Sequence, residues 1–257
     1  MYQEERMASI LDYLKEHKRI SVDHICRMFN VSRDTARRDL VKLEERGDLN
    51  RTRGGAVLPD IEGRLKTYQD RLMDVSEEKR AIGKLAASLI KNGENIILDT
   101  STTVQACAES LTALDITVVT NSINQVEILS QKDRVEMYLL GGRLNKHHRF
   151  LYGTSAVEKL AEYHADKAFI GVGGIMDTGL AIQYEEDGMI KKKMIDQADQ
   201  VILLTDHSKF GKPYFYQFAS LQDIDVLVTD RLPDEPFLRI LKQAGVTILT
   251  TEDDPRI

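Results

Sequence analysis

Residues 31–57 read VSRDTARRDLVKLEERGDLNRTRGGAV, and this stretch decides how the N-terminal part of the chain folds. Ala36, Leu40 and Leu43 recur at helical spacing, which predicts a helix with one buried face. Ser32, just before it, is a favourable N-cap. The remaining positions carry charges of both signs, so the segment is either a solvated charged helix or a surface that binds DNA.

The neighbouring residues favour the DNA-binding interpretation. Ser21 is placed to cap a preceding helix, and Asn30-Val31 makes the turn between the two helices. A helix pair joined in this way is the helix-turn-helix pattern, here at about residues 20–40. Gly47 ends the second helix, and Gly54-Gly55 then supply the turn of a small β-hairpin, the wing of a winged helix. An additional helix at the start of the chain is predicted from the apolar stripe Met7, Ile10, Leu11 and Leu14.

The polar side chains of the second helix and of the wing must face outward once the apolar side is buried. The first turns of such a helix enter the major groove, where Arg binds guanine or phosphate, and cations on the wing reach the adjacent backbone or minor groove. We predict that DNA is bound by Ser32, Arg33, Thr35, Arg37, Arg38, Lys42, Arg51 and Arg53. Asp39 is expected to pair with a basic neighbour away from the DNA.

The distribution of charge agrees with this assignment. The formal net charge is −6, which by itself speaks against a nucleic-acid partner. Residues 1–58, however, carry 12 Lys and Arg against 10 Asp and Glu, a net charge of +2, and the rest of the chain carries 23 against 31, a net charge of −8. Since DNA interacts with the nearby surface, the asymmetry matters more than the total.

Targeting and metal signals are missing from the sequence. No window approaches 18 uncharged apolar residues, and the N-terminus MYQEERMASI lacks the features of a signal peptide. We therefore expect a cytoplasmic protein without a membrane segment. Cys26 and Cys107 are too few for a disulfide framework or a zinc site, and the adjacent His147-His148 would point apart, so no metal and no cofactor are expected.

From Glu77 onward the pattern changes to alternating strands and helices. Short apolar runs at residues 96–98, 116–119, 138–140, 168–170, 201–204, 226–228 and 246–249 are separated by helical stretches. Continuous apolar strands between helices predict a mostly parallel sheet covered on both faces. The predicted fold class is therefore α/β, with a mostly α-helical winged helix-turn-helix domain (residues 1–58), a linker (59–76) and a larger Rossmann-like α/β domain (77–257).

The N-terminal part resembles the DeoR family of bacterial transcriptional regulators. The resemblance lies in Ile20–Ser32, in Thr35-Ala36-Arg37-Arg38-Asp39-Leu40 and in Arg51-Thr52-Arg53-Gly54-Gly55-Ala56. The family usually reads T-I-R-R-D-L and R-T-H-G-G-A at the last two segments. Ala36 thus replaces Ile, and Arg53 replaces His, which keeps the wing cationic.

The C-terminal part also resembles that family, whose effector domains have a fold similar to sugar-phosphate isomerases and are thought to bind phosphorylated sugars or related metabolites. Residues 99–103, Asp-Thr-Ser-Thr-Thr, match the family's D-x-G-T-T loop, with Ser101 in place of Gly. Residues 206–211, Asp-His-Ser-Lys-Phe-Gly, match D-x-S-K-F-G. Gly173 stands where the family often has an acidic or amide residue. Lys191 matches a family position, although the run Lys191-Lys192-Lys193 reads as the solvated face of a helix.

These matches, together with polar residues at predicted strand ends, define the candidate effector site. Hydroxyls and backbone N–H groups at a strand-to-helix turn suit a phosphate, and open α/β sheets bind ligands at the carboxyl ends of their strands. The candidate residues are Asp99, Ser101, Thr102, Thr103, Asn121, Ser122, Gly141, Gly142, Lys191, Asp206 and Lys209. Lys209 is expected to meet the phosphate and Asp206 a sugar hydroxyl.

The resemblance implies a DNA-binding regulator, a repressor of a sugar or carbohydrate catabolic operon that a phosphorylated sugar or related metabolite releases from its operator. The alternative is a sugar-phosphate isomerase-like enzyme in which the acidic residues and lysines of the α/β domain transfer protons. The N-terminal helix-turn-helix argues against the enzyme. Because one winged helix has a small footprint on DNA, we expect a homo-oligomer, a dimer or a tetramer, on repeated half-sites.

Overall fold

The computed structural model of the chain describes residues 3–17, 19–46, 48–52, 54–57 and 77–252. The chain divides into two compact units, Met1–Lys66 and Thr67–Ile257. The predicted linker, residues 59–76, lies outside the described residues, as do Gly47 and Arg53. The predicted domain limits therefore stay predictions.

The first unit contains the predicted helix-turn-helix and wing. Its helices are α1 (Gln3–His17), α2 (Val22–Phe29) and α3 (Arg33–Glu45), and its strands are β1 (Arg19–Ser21), β2 (Asn50–Thr52) and β3 (Gly55–Val57). The strands form an antiparallel sheet in the order β1-β3-β2, in which β2 and β3 are the wing. Strand β1 was not predicted, because three residues are too few to show an alternating pattern.

The turns of this unit follow the sequence signals closely. The Ser21 and Ser32 side chains each accept a hydrogen bond from a backbone N–H three residues later, at the starts of α2 and α3. Asn30 ends α2 in the left-handed region with a φ of 51°. In the wing, Gly54 has a φ of 149°, and a Cβ at Gly55 would overlap the backbone of β1. Both glycines are thus required, for different reasons.

One apolar core holds the three helices together. Ile10 and Leu14 of α1, Ile25 of α2, and Leu40 and Leu43 of α3 are almost fully buried in a single cluster. The predicted inner face of α3 is confirmed, and its outer face is thereby fixed.

The described part of the second unit is built on a seven-stranded sheet in which every neighbouring pair is parallel. The strands are β4 (Asn95–Leu98), β5 (Ile116–Thr120), β6 (Val135–Leu139), β9 (Ala165–Gly171), β12 (Ala198–Leu204), β14 (Val226–Thr229) and β15 (Thr247–Thr250). Each of the seven predicted apolar runs overlaps one of them. The order across the sheet is β15-β14-β12-β9-β4-β5-β6.

Helices cover both faces of this sheet, as predicted. They are α4 (Glu77–Ala87), α5 (Thr102–Ser110), α6 (Ile123–Leu129), α7 (Thr154–Leu160), α8 (Glu185–Asp196) and α9 (Glu235–Gln243). Along β4, Ile96 and Leu98 pack into one buried cluster, whereas Ile97 packs into the other. A strand buried on both faces explains the continuous apolar runs in the sequence.

The order of the strands creates a topological switch point between β4 and β9. The chain starts in the middle of the sheet at β4 and moves to β5 and β6 on one side. It then returns to the other side of β4 with β9 and continues outward to β12, β14 and β15. In open α/β sheets, ligands bind at the carboxyl ends of the strands beside such a point.

Short antiparallel strands, which the sequence analysis did not predict, surround the sheet. A hairpin consists of β7 (Arg143–Asn145) and β8 (Phe150–Tyr152). A small sheet consists of β10 (Gly174–Met176), β11 (Gly179–Ile182) and β13 (Tyr216–Ala219), with β11 in the middle. The hairpin is tied to the carboxyl end of β5 by a bridge between Ser122 and Phe150.

Candidate DNA-binding surface and effector site

The outer face of α3 presents two arginines to solvent. Arg37 and Arg38 are exposed, and within the described residues no carboxylate forms an ion pair with either of them. Ser32 and Thr35 lie at the start of the same helix, where the Ser32 hydroxyl is 2.9 Å from that of Thr35. Arg37 and Arg38 are therefore available to bind phosphate or base edges.

Three of the other predicted DNA-binding cations, Arg33, Lys42 and Arg51, already contact protein groups. The Nε of Arg33 donates to Asp23 of α2 at 2.9 Å, and Lys42 Nζ donates to the Gln3 side chain of α1 at 2.7 Å. The Arg51 guanidinium in the wing pairs with the Glu44 carboxylate at 3.5 Å. All of these pairs are exposed, so DNA can compete for the cations at small cost.

Asp39 pairs with an arginine, as expected, but this arginine is distant in the sequence and the pair is buried. The Asp39 side chain is fully buried, with Arg6 Nε at 2.6 Å from one carboxylate oxygen and Gln3 Nε2 at 2.7 Å from the other. Both partners belong to α1, more than 30 positions earlier. Asp39 thus holds α3 against α1 and sets the direction in which Arg37 and Arg38 point.

In the second unit, the central feature at the carboxyl edge of the sheet is a buried ion pair between Asp99 and Lys191. Asp99 follows β4, and Lys191 lies on α8; their side chains are 1% and 3% exposed. The Asp99 carboxylate also accepts from the backbone N–H of Gly171 at 2.6 Å and of Ser101 at 2.8 Å. Lys191 additionally donates to the Gly171 carbonyl at 3.2 Å.

This geometry corrects the prediction that Lys191-Lys192-Lys193 is a solvated helix face. Lys192 is exposed and Lys193 is half-buried, but Lys191 is on the inner side of α8. A lysine can be buried there because Asp99 and a carbonyl oxygen compensate its charge.

The Ser101 side chain has room because residue 171, at the end of β9, is a glycine. The Ser101 hydroxyl caps α5 by accepting from the Val104 N–H at 3.2 Å, and a Cβ at Gly171 would overlap the Ser101 side chain. The serine therefore occupies space that only a glycine opposite leaves open. Thr102 and Thr103, in the first turn of α5, are also buried.

The end of β5 adds a second set of polar groups next to Asp99. Ser122 caps α6 by accepting from the Gln125 N–H at 3.3 Å, and Asn121 Nδ2 donates to the Leu151 carbonyl at 2.9 Å. The Gln125 side chain reaches across to the Asp99 carbonyl at 3.1 Å. Gln125 was not among the predicted site residues, although a polar residue at a position of α6 that faces the sheet was an available signal.

The motif after β12 forms a short helical turn. Asp206 caps it by accepting from the Ser208 N–H at 2.9 Å, and Lys209 is half-buried at its end. His207 contacts Asp230, which follows β14, through both its backbone N–H and its ring. Burial raises the pKa of Asp230, but the hydrogen bonds from His207 outweigh this effect and hold the pKa below its ordinary value of 3.8.

The structure thus brings some predicted site residues together and separates others. Asp99, Ser101 and Lys191 are in one hydrogen-bonded group, and Asn121 and Ser122 adjoin it on the next strand. Asp206 and Lys209 follow β12, on the far side of β9. Gly141 and Gly142 are exposed beyond β6, the edge strand, two strands away from β4.

Comparison with known proteins matches each of the two units to a protein family model. Residues 6–62 match the model of the DeoR-like helix-turn-helix domain, and residues 74–231 match that of the DeoR C terminal sensor domain. The chain belongs to the DeoR family. This DeoR-family chain is 59% identical to the HTH-type transcriptional repressor GlcR of Bacillus subtilis (strain 168), over 99% of this chain and 98% of that protein.

More distant relatives of this DeoR-family chain are also named as regulators. It is 29% identical to the putative aga operon transcriptional repressor of Escherichia coli O157:H7 (95% of this chain, 93% of that one). It is also 29% identical to the glycerol-3-phosphate regulon repressor of Escherichia coli K12 (94% and 96%). Among solved structures, a ribose 5-phosphate isomerase from Methanocaldococcus jannaschii aligns with 51% of this chain and 53% of its own, at 20% identity and a TM-score of 0.37.

These relatives decide between the two functions considered above. The chain is a DNA-binding transcriptional regulator with a sensor domain, and the enzyme alternative is not supported, since the relatives are named as regulators and repressors. In the described part of the chain, no helix has the length and apolar character needed to cross a membrane.

Proposed function

We propose that this regulator is a repressor of a sugar or carbohydrate catabolic operon, and that a phosphorylated sugar or a related metabolite releases it from its operator. One observation carries the proposal. The same chain contains helix α3, which a buried ion pair holds in place and which exposes Arg37 and Arg38, and a parallel sheet with buried polar groups at the carboxyl ends of its strands beside the switch point. Since its target is operator DNA, we place it in the cytoplasm.

On the DNA side, Arg37 and Arg38 would make the main contacts in the major groove. Ser32 and Thr35 would contact phosphate at the start of α3, where the positive end of the helix dipole also attracts it. Supporting phosphate contacts would come from Arg33, Lys42, Arg51 and Arg53. A homo-oligomer, a dimer or a tetramer, would place two such helices on neighbouring half-sites.

On the effector side, the residues have two different roles. Both carboxylate oxygens of Asp99 are engaged by protein donors, so Asp99 and Lys191 position the loop rather than contact the effector. Ser101, Thr102 and Thr103 would bind the phosphate together with Lys209. Of the remaining predicted residues, Asn121, Ser122 and Asp206 would surround the sugar, whereas Gly141 and Gly142, which lie beyond the edge strand β6, would be at the periphery of the site.

The experiment compares two lysines of the second unit. DNA duplexes selected from a random pool by the full chain serve as operator, and release is followed by gel shift with hexose and pentose phosphates. Lys209→Ala should bind DNA like wild type but no longer be released, because the phosphate loses its cation. Lys212, three positions on, is exposed, and Lys212→Ala should be released normally. Normal release of Lys209→Ala would contradict the proposed site.

A further inference from the structure

Strand β6 is the outermost strand on one side of the parallel sheet, and its inner edge pairs with β5 along all of Val135–Leu139. Within the described residues, no backbone group of β6 bonds to any segment other than β5. An edge strand exposes a row of N–H and C=O groups that can pair with another strand. Proteins commonly protect a free edge with lysine, proline or a bulge, and β6 has none of these.

The side chains of β6 are exposed on both faces of the sheet. Tyr138 is 40% exposed and Leu139 is 45% exposed, and the alternation along a strand puts them on opposite faces. Glu136 shares the face of Tyr138, whose hydroxyl donates to the Glu136 carboxylate at 2.9 Å. At the opposite edge of the sheet, β15 exposes only Thr247. The exposed apolar surface is therefore a feature of the β6 edge.

A second copy of the chain fits this edge by symmetry. A two-fold axis perpendicular to the sheet makes two β6 strands antiparallel neighbours and keeps every side chain on its own face. Because facing residues of an antiparallel pair lie on the same face, one residue must lie opposite its own copy. With Met137 on the axis, every residue of β6 finds a partner in the second β6.

This register is complementary in polarity and in charge. On one face, Met137 lies opposite Met137 of the second copy and Val135 opposite Leu139, so that each pair is apolar. On the other face, Glu136 lies opposite Tyr138, which can donate to a carboxylate. An axis at Glu136 would instead place two carboxylates opposite each other, which destabilises an antiparallel pair. An axis at Tyr138 would shorten the ladder between the two strands.

We propose that β6 pairs antiparallel with β6 of a second copy, with Met137 at the two-fold axis, so that the two parallel sheets join into one. This inference rests on the homo-oligomer of the proposed function and names the surface that forms it. The polar groups around Asp99 stay outside the interface, because β5 lies between β4 and β6.

A cross-link across the axis tests the register in the full chain. Facing residues of an antiparallel pair have Cβ atoms about 4.5–5.5 Å apart, so small movements allow a disulfide. Under mild oxidation, most of the Met137→Cys variant should therefore run as a covalent dimer on a non-reducing gel. Met189→Cys is the matched control, since Met189 is 47% exposed on α8, away from the edge. It should cross-link no more than wild type, which carries Cys26 and Cys107.

A charge at the interface tests the apolar pairs. Leu139→Lys places an ammonium group opposite Val135 of the second copy, and the symmetry does so twice. Sedimentation velocity of the full chain should show the dissociation constant of the interface raised by about tenfold or more. Leu232→Lys makes the same change at a residue that is 52% exposed elsewhere, and it should sediment like wild type. If Leu139→Lys does not fold, as judged by circular dichroism, the cross-link decides.

The outcomes separate the inference from the proposed function. If Met137→Cys cross-links no more than Met189→Cys, or if folded Leu139→Lys associates as tightly as wild type, the inference is overturned and the proposed oligomer stands. If wild type sediments as a monomer over the whole concentration range, both the interface and the oligomer are overturned. Neither result changes the proposed release from DNA by an effector, which the gel-shift comparison tests separately.

Discussion

Replacing Lys191 by Met should destabilise the second unit strongly, because the change leaves the Asp99 carboxylate buried without its counter-ion. Both side chains are almost completely removed from solvent. Breaking such a pair typically costs about 3–5 kcal/mol. Asp99 keeps the N–H donors of Ser101 and Gly171, so we expect the lower end, about 3 kcal/mol. With a urea m-value of about 3 kcal/mol/M, the unfolding midpoint should fall by about 1 M.

Tyrosine fluorescence is a suitable probe, since the chain has no Trp and seven of its nine tyrosines belong to the second unit. Lys192→Met is the matched control: it makes the same chemical change one position later, where the side chain is exposed. The control should change the stability by less than about 0.5 kcal/mol. Equal midpoints for the two variants would refute the argument, because Lys191 would then not be a buried, charged partner of Asp99.

Three other predictions test separate parts of the structure. Arg38→Ala should weaken binding to selected DNA and, if the side chain contacts one phosphate, reduce the slope of log K against log salt by about 0.9. The control Glu45→Ala should leave that slope unchanged. An unaltered affinity of the Arg38→Ala variant would show that Arg38 is not in the interface. Burial raises the pKa of the Cys107 thiol to about 12, so a disulfide reagent at pH 8 should modify the half-buried Cys26 first. Rapid modification of both thiols would argue against the buried position of Cys107. The pKa of Asp230 is lower in the folded state, so the ionised carboxylate contributes stability above pH 3.8, and this contribution is lost as the pH falls through the lower pKa of the folded state. Wild type should therefore lose more stability than Asp230→Asn when the pH is lowered below 3.8. Urea midpoints that fall in parallel for the two proteins would disprove the contribution.

The fold was largely predictable because its signals are local. The buried face of α3 follows from the spacing of Ala36, Leu40 and Leu43, and the caps at Ser21 and Ser32 need only the next three residues. The strands of the parallel sheet appear as apolar runs because they are buried on both faces. The hairpin and the small antiparallel sheet were not predicted, because four of their five short strands contain glycine or a polar residue and so lack a clear apolar run.

The site was less predictable because its groups pair across long distances in sequence. Lys191 looked solvated in a run of three lysines, and only the position of Asp99, 92 residues earlier, explains its burial. Asp39 likewise depends on Arg6, a partner that no local pattern identifies. Gln125 belongs to no recognised motif, and its contact with the Asp99 loop depends on a carbonyl group 26 positions earlier in the chain.

Release of specific DNA by a sugar phosphate is the behaviour on which the proposed function depends. Fluorescence anisotropy would follow the full chain on a duplex selected from a random pool, with and without each hexose and pentose phosphate. We expect tight, sequence-specific binding that at least one of these compounds weakens by about fivefold or more, as in a typical allosteric coupling. Binding without sequence preference, or an affinity that none of the compounds changes, would contradict it.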